Sequence, residues 1–167
     1  DGTTSRGLGD VYKRQMHQEF CKIFSRFVEE NGIKENEFGL EITETAELED
    51  TKKAGESLER LKKRGIKIAL DDFGAGYASL KYIRDLPIDV VKLDRHFTSN
   101  ISDPSTSRLI KFVSDVCAEL NLEMIGEGIE TEKEKNMMIE LGCVTGQGFL
   151  MHMPSFIEDI KKENNDG

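Results

Sequence analysis

At 167 residues the chain is long enough for one domain with a sizeable core, and 37% hydrophobic against 33% charged residues implies a well-solvated surface. A formal net charge of −9 argues against nonspecific binding to DNA or RNA polymers, but a small phosphate ligand remains open if metal ions or local bases supply positive field. Three scattered cysteines without ligand spacing, no apolar run long enough for a bilayer and no visible signal peptide predict reduced thiols, no membrane segment and a cytoplasmic setting.

Residues Asp1 to Gln15 are polar and lack apolar periodicity, and Gly9-Asp-Val-Tyr-Lys-Arg-Gln15 resembles a translated adapter end. They are set aside, and residues 16–167 are read as the domain. Phe20, Ile23, Phe24, Phe27 and Val28 recur at helical spacing, with Asn31-Gly32 as a C-cap. Phe38 to Thr43 reads as a strand and Thr51 to Arg64 as a helix with Leu58 and Leu61 inward, stopped by Gly65. Ile66 to Asp71 is the next strand, Ser79 to Asp85 a short helix ending before Pro87, and Asp89 to Leu93 a third strand. Ser102-Asp103-Pro104 opens a long helix with Leu109, Ile110, Val113, Val116, Cys117 and Leu120 on one face. Met124 to Gly126 is strand-like, and Thr131-Glu-Lys-Glu134 has the form of a capping box for a helix that runs to Leu141-Gly142. Val144 to Leu150 is a fifth strand candidate, and Pro154 starts a last helix toward Lys162.

Strand and helix alternate about five times with short connections, which implies an α/β fold with a parallel sheet. An open doubly wound sheet and a (β/α)8 barrel both satisfy the pattern. Five units fall short of eight, so the barrel reading requires strands this sequence does not contain.

The strand ends carry the chemistry. The run Ile68-Ala-Leu-Asp71-Asp72-Phe-Gly74 closes an apolar strand with two adjacent carboxylates, whose repulsion invites a cation; the alternative is that Asp72 caps a following helix. The first strand carries Glu41 and ends near Glu44, the third carries Lys92 and Asp94, Glu127 and Glu130 follow the fourth, and the fifth carries Gln147. In a parallel α/β fold this edge is where ligands bind. Carboxylates without a nearby His or Cys suit Mg²⁺ or Mn²⁺, and a lysine among them suits phosphoester hydrolysis. Each residue also has a plainer reading: Lys92 as the ion-pair partner of Asp94, Glu130 as a helix-start residue, Glu44 as a solvated loop residue. His17, His96 and His152 show no ligand spacing, and Met137, Met138, Met151 and Met153 read as core filler. A phosphorelay receiver domain fits poorly, because Lys92 lies on the very next strand after Asp71-Asp72.

Five blocks closely resemble the EAL-domain family of cyclic di-GMP phosphodiesterases. They are Leu40-Glu-Ile-Thr-Glu-Thr45, Leu70-Asp-Asp-Phe-Gly-Ala-Gly-Tyr-Ala-Ser-Leu80, Val91-Lys-Leu-Asp-Arg-His-Phe97, Gly126-Glu-Gly-Ile-Glu-Thr131 and Gly142-Cys-Val-Thr-Gly-Gln-Gly-Phe-Leu150. The resemblance implies a (β/α)8 TIM-type barrel, here partial, that hydrolyses cyclic di-GMP to linear pGpG with two Mg²⁺ or Mn²⁺ ions. It implies metal binding by Glu41, Asp71 and Asp72, a water-positioning role for Lys92 and a general-base or water-and-metal role for Glu127. Asp94, Glu130 and Gln147 would support the metal and phosphate shell, and Glu44 would brace the loop after Asp72, which in the family couples the site to homodimerisation.

The sequence departs from the family in lacking its Glu-Ala-Leu motif and the asparagine ligand of the following strand. Both are expected upstream of Met16, so the 167 residues by themselves are expected to be inactive and poorly stable, with exposed strand edges. A catalytically silent cyclic di-GMP receptor is the alternative to an active phosphodiesterase.

Overall fold

The computed structural model describes residues 39–43, 51–74, 79–151 and 153, together with Ile23, Arg26 and Glu30. The helix expected around Phe20 to Val28, the helix after Pro154, Glu44, His17 and His152 lie outside these residues or are touched only at isolated positions. The elements are β1 (Gly39–Thr43), α1 (Thr51–Lys62), β2 (Lys67–Phe73), α2 (Ser79–Asp85), β3 (Val90–Leu93), α3 (Arg95–Ser99), α4 (Pro104–Glu119), β4 (Glu123–Gly126), α5 (Glu132–Glu140) and β5 (Thr145–Gly146). The strand order is β1-β2-β3-β4-β5, so sheet order follows chain order. The chain divides inside β3, between Val91 and Lys92, into two compact units.

In the first unit β1 pairs parallel with β2, Gly39 opposite Lys67 and Thr43 opposite Asp71. Helix α1 forms because its apolar positions fall at helical spacing, and it buries Gly55, Leu58 and Leu61. A Cβ at Gly55 would sit at an ordinary contact distance, 3.5 Å, from the carbonyl oxygen of Asp85, so this buried position packs against the end of α2 without demanding glycine. Ile66, Ile68, Leu70, Phe73, Tyr82, Ile83, Leu86, Ile88, Val90 and Val91 complete the apolar core of this unit. Asp89 secures the entry to β3. Its carboxylate accepts from the Ile68 backbone N–H at 2.9 Å and pairs with Lys62 Nζ at 2.7 Å.

In the second unit β4 pairs parallel with β5, Ile125 opposite Thr145. Helix α4 starts where Asp103 Oδ2 accepts from the backbone N–H groups of Ser105 (3.0 Å) and Thr106 (2.9 Å), with Pro104 in its first turn. The expected capping box is present: Glu134 N–H donates to Thr131 Oγ1 at 3.2 Å and Thr131 N–H to Glu134 Oε2 at 2.9 Å. Ile101, Ile110, Val113, Cys117, Met124, Ile129, Met138 and Cys143 are buried in this unit. Cys117 and Cys143 are free thiols, and burial pushes both up to about 11.

Several expectations need correction. Strand β2 runs on through Asp72 to Phe73, and α2 does not begin until Ser79, so Asp72 is a strand residue and not a helix cap. Helix α3 was not foreseen; five residues are too few to show a period. Leu109 and Leu120 are exposed, leaving Ile110, Val113 and Cys117 as the inward face of α4. Met151 and Met153 are exposed, whereas Met138 is core. The fifth strand is only Thr145–Gly146, so Gln147 lies just past it. Among the described residues no helix is long and apolar enough to cross a membrane.

Candidate active site

In the first unit the candidate site residues lie on paired strands. The register sets Glu41 opposite Ala69 and Thr43 opposite Asp71. Side chains alternate with period two, so Glu41 and Asp71 belong to the same face of the sheet, one step apart. Along β2, Ile68 and Leu70 are buried while Ala69 and Asp71 are only partly so. Continued alternation would place Asp72 with Ile68 and Leu70 in the apolar layer. Instead Asp72 takes φ 54°, an uncommon conformation that aspartate tolerates better than most residues. The alternation then slips by one: Asp72 stays partly exposed and Phe73 is buried. One carboxylate oxygen of Asp71 and one of Asp72 consequently lie within 4.8 Å of each other.

That arrangement fits a hard divalent cation. Both donors are carboxylate oxygens, and two anionic groups at this separation repel unless positive charge is supplied. A nitrogen- or sulfur-preferring ion would ask for His or Cys, and neither is among these residues.

In the second unit three residues converge. Lys92 Nζ, a buried ammonium on β3, lies 2.8 Å from Glu127 Oε1. The same oxygen accepts from Gln147 Nε2 at 2.7 Å. Lys92 therefore pairs with Glu127, and the pairing with Asp94 weighed from sequence is not the one formed. Asp94 caps α3 instead, its Oδ1 accepting from His96 N–H at 2.8 Å. Glu130 is exposed and its backbone N–H donates to Glu134 Oε2 at 2.9 Å, which puts the residue at the start of α5.

Glu127 is held by the backbone of the loop that carries it. Its N–H donates to the Leu93 carbonyl at 3.1 Å, which registers it beside Lys92. Gln147 N–H donates to the Gly126 carbonyl at 2.9 Å, Ile129 N–H to the Gln147 carbonyl at 3.1 Å and Leu150 N–H to the Ile129 carbonyl at 3.0 Å. The segment after β5 therefore wraps the 127–130 loop by main-chain bonds, which is why it leaves the strand so early. Ile129 is the buried plug of this clasp. Glycine is required on both sides of it. Gly128 has φ 66°, and a Cβ there would meet Arg95 Cβ at 2.7 Å; a Cβ on Gly148 would meet the Ile129 backbone oxygen and nitrogen at 2.2 and 2.3 Å. Ile129, Gly128 and Gly148 were not singled out from sequence, although four glycines at positions 126, 128, 146 and 148 mark a place where backbones approach closely.

The EAL domain family model matches residues 11–154. The chain belongs to the EAL domain family, and its fold is the α/β, TIM-barrel-like one of that family. The probable cyclic di-GMP phosphodiesterase PdeI of Escherichia coli K12 is 33% identical over 135 residues, covering 81% of this chain and 17% of that protein. The crystal structure of the EAL domain of Mycobacterium smegmatis DcpA superposes with a TM-score of 0.81 at 30% identity, covering 89% of this chain and 67% of that one. A manganese and cyclic di-GMP complex of Klebsiella pneumoniae BlrP1 gives a TM-score of 0.66 at 29% identity, covering 71% of this chain and 31% of that one. The chain spans about a fifth of the length of the curated relatives it matches.

Proposed function

We propose that this domain hydrolyses cyclic di-GMP to linear pGpG with Mg²⁺ or Mn²⁺, two ions being held in the working domain. The observation that carries the reading is the Lys92–Glu127–Gln147 constellation, formed by residues of three separate family motifs. Relatives named as cyclic di-GMP phosphodiesterases and a solved manganese and cyclic di-GMP complex support the substrate and the cation class. Homodimerisation and a cytoplasmic setting belong to the same proposal.

Glu41, Asp71 and Asp72 are the residues proposed to hold the cations. Bound there, a divalent ion supplies Lewis acidity toward a phosphoryl oxygen and makes water a better nucleophile. Lys92 brings a fixed positive charge that steadies negative charge on a phosphoryl oxygen and orients the attacking water. Glu127 holds the ammonium in place and is the candidate acceptor of the water's proton, while the Gln147 amide keeps its carboxylate from rotating. Asp94, Glu130 and Glu44 are proposed as supporting residues around the substrate.

The test is chromatographic separation of cyclic and linear dinucleotide after incubation with Mg²⁺, Mn²⁺ or chelator. It is run on the product of the complete open reading frame and on these 167 residues. No Glu-Ala-Leu occurs in these 167 residues, so they are proposed to be inactive by themselves. In the complete product, Glu127→Gln and Lys92→Ala should each slow turnover by about 10²–10⁴-fold. Asp71→Asn should do so with loss of metal dependence. Equal turnover by Asp71→Asn overturns the metal assignment. Tight binding of cyclic di-GMP without product, under every metal, makes the domain a receptor.

A further inference from the structure

Three segments carry the Lys92–Glu127–Gln147 constellation: 92–97, 126–131 and 145–150. Between them they hold three carboxylates, Asp94, Glu127 and Glu130, and two permanently charged bases, Lys92 and Arg95. The Lys92 ammonium is met by Glu127 at 2.8 Å, so it brings little net charge to an anion. His96, the remaining basic side chain, sets its Nδ1 3.3 Å from Asn100 Nδ2, along its own helix. Among the described residues no carboxylate or carbonyl holds the Arg95 guanidinium. A doubly anionic ligand would find its uncommitted positive charge there.

The chain leaving β3 climbs from the core to the surface. Lys92 and Leu93 are buried, Asp94 is half-buried and Arg95 is exposed. Three residues of chain set the Cα atoms of Lys92 and Arg95 at most about 10 Å apart, a span that one small ligand covers. The stem of the Arg95 side chain lies against the loop that carries Glu127. A Cβ on Gly128 would come within 2.7 Å of Arg95 Cβ and 4.0 Å of its Cγ, so the glycine leaves room for the arginine stem beside the residue next to Glu127. Helix α3 gains nothing from a base here: Arg95 is its first residue, where the helix dipole disfavours a cation.

We propose that Arg95 is a substrate-binding residue that holds the phosphate not being cleaved. The proposal rests on the cyclic di-GMP reading above and adds to it the residue that orients the ligand. Cyclic di-GMP carries two phosphodiesters in one ring, each with a negative charge. With the scissile group at Lys92, the other phosphate lies away from it, toward the exposed end of the same segment. A guanidinium meets two phosphoryl oxygens through paired N–H donors, a geometry that fixes orientation as well as charge. Held at both phosphates, the ring presents one ester to the Lys92–Glu127 pair and does not pivot about it. Arg95 acts on binding and leaves the reacting atoms to Lys92 and Glu127.

Steady-state kinetics on cyclic di-GMP with Mn²⁺, using the product of the complete open reading frame, read the result. Arg95→Ala should raise KM by about 10–100-fold while kcat stays within about threefold, because a charged hydrogen-bonded contact made equally in the ground and transition states is lost. Its KM should also rise less with added NaCl than that of the wild type. Arg95→Lys keeps the charge without the paired donors, and its KM should fall between the two. An unchanged KM in Arg95→Ala overturns the proposal, as does a fall in kcat alone, which would mean that the side chain acts by positioning the Glu127 loop. A raised KM with the wild-type salt response places the contact on a neutral guanine and overturns the phosphate assignment. If the wild type binds cyclic di-GMP without hydrolysing it, the phosphodiesterase reading falls, and isothermal titration with cyclic di-GMP still reads the arginine: Arg95→Ala should weaken binding by the same factor, and equal affinity overturns the contact. A wild type that neither binds nor hydrolyses cyclic di-GMP overturns both.

Discussion

Gly148→Ala tests whether the clasp around Ile129 is what holds Glu127. A Cβ at position 148 would lie 2.2, 2.3 and 2.8 Å from the oxygen, nitrogen and carbonyl carbon of Ile129. These are main-chain atoms of a buried residue, so no side-chain rotation relieves the clash. Forcing an added group into packed surroundings costs roughly 1–3 kcal/mol. Relief by moving the loop sacrifices the bonds from Ile129 N–H to the Gln147 carbonyl and from Leu150 N–H to the Ile129 carbonyl, at about 1 kcal/mol each. Either route costs about 2–3 kcal/mol, which for a chain of this size lowers the thermal midpoint by about 4–12 °C. Gly39→Ala is the control: among the described residues its Cβ meets only the Lys67 carbonyl, at an ordinary 3.8 Å, and alanine loses less chain entropy on folding. Circular dichroism melts of the three proteins are the assay. A Gly148→Ala midpoint within 2 °C of wild type, or an equal fall in Gly39→Ala, refutes the reasoning.

Two further predictions concern titration. The Thr106 N–H, with smaller help from its hydroxyl and from Ser105, holds the exposed Asp103 carboxyl below the usual carboxylate range. A depressed folded-state value means that the cap's contribution is present above about pH 4 and lost as pH falls further. Asp103→Asn keeps an acceptor without the titration, so its melting midpoint should fall less steeply than wild type between about pH 4 and 2; parallel curves would refute the cap's role in acid sensitivity. Burial pushes the Cys117 and Cys143 thiols up to about 11. Neither should be alkylated by iodoacetamide at pH 8 before unfolding, as read by peptide mass spectrometry. Rapid native-state labelling of either refutes its burial.

The elements legible in the sequence are those with strong local signals. Ser79 to Asp85 was bounded correctly, because Pro87 stops that helix shortly after its end, and the Thr131 capping box is local by nature. Asp71-Asp72, Lys92 and Glu127 were all recognisable, since charged residues next to apolar strand runs stand out and their motif blocks are distinctive. Helix α4 was placed correctly but its faces were not separated, because one apolar arc on a helical wheel does not say which part meets a sheet and which meets solvent.

The amino-acid sequence by itself determined the βα alternation, through residue type and spacing, and, through its motif blocks, the family and the roster of candidate site residues. Tertiary structure alone decided how those residues are paired. Lys92 has acidic neighbours in sequence at Asp94 and in space at Glu127, and the Glu127 N–H bond to the Leu93 carbonyl registers the distant one beside it. Asp72 escapes the apolar layer through a backbone angle that composition does not reveal. Ile129 matters because two glycines let other backbone pack against it. Each is a contact across sequence distance, where the energy lies in close approach and hydrogen-bond geometry, and neither is encoded by local pattern.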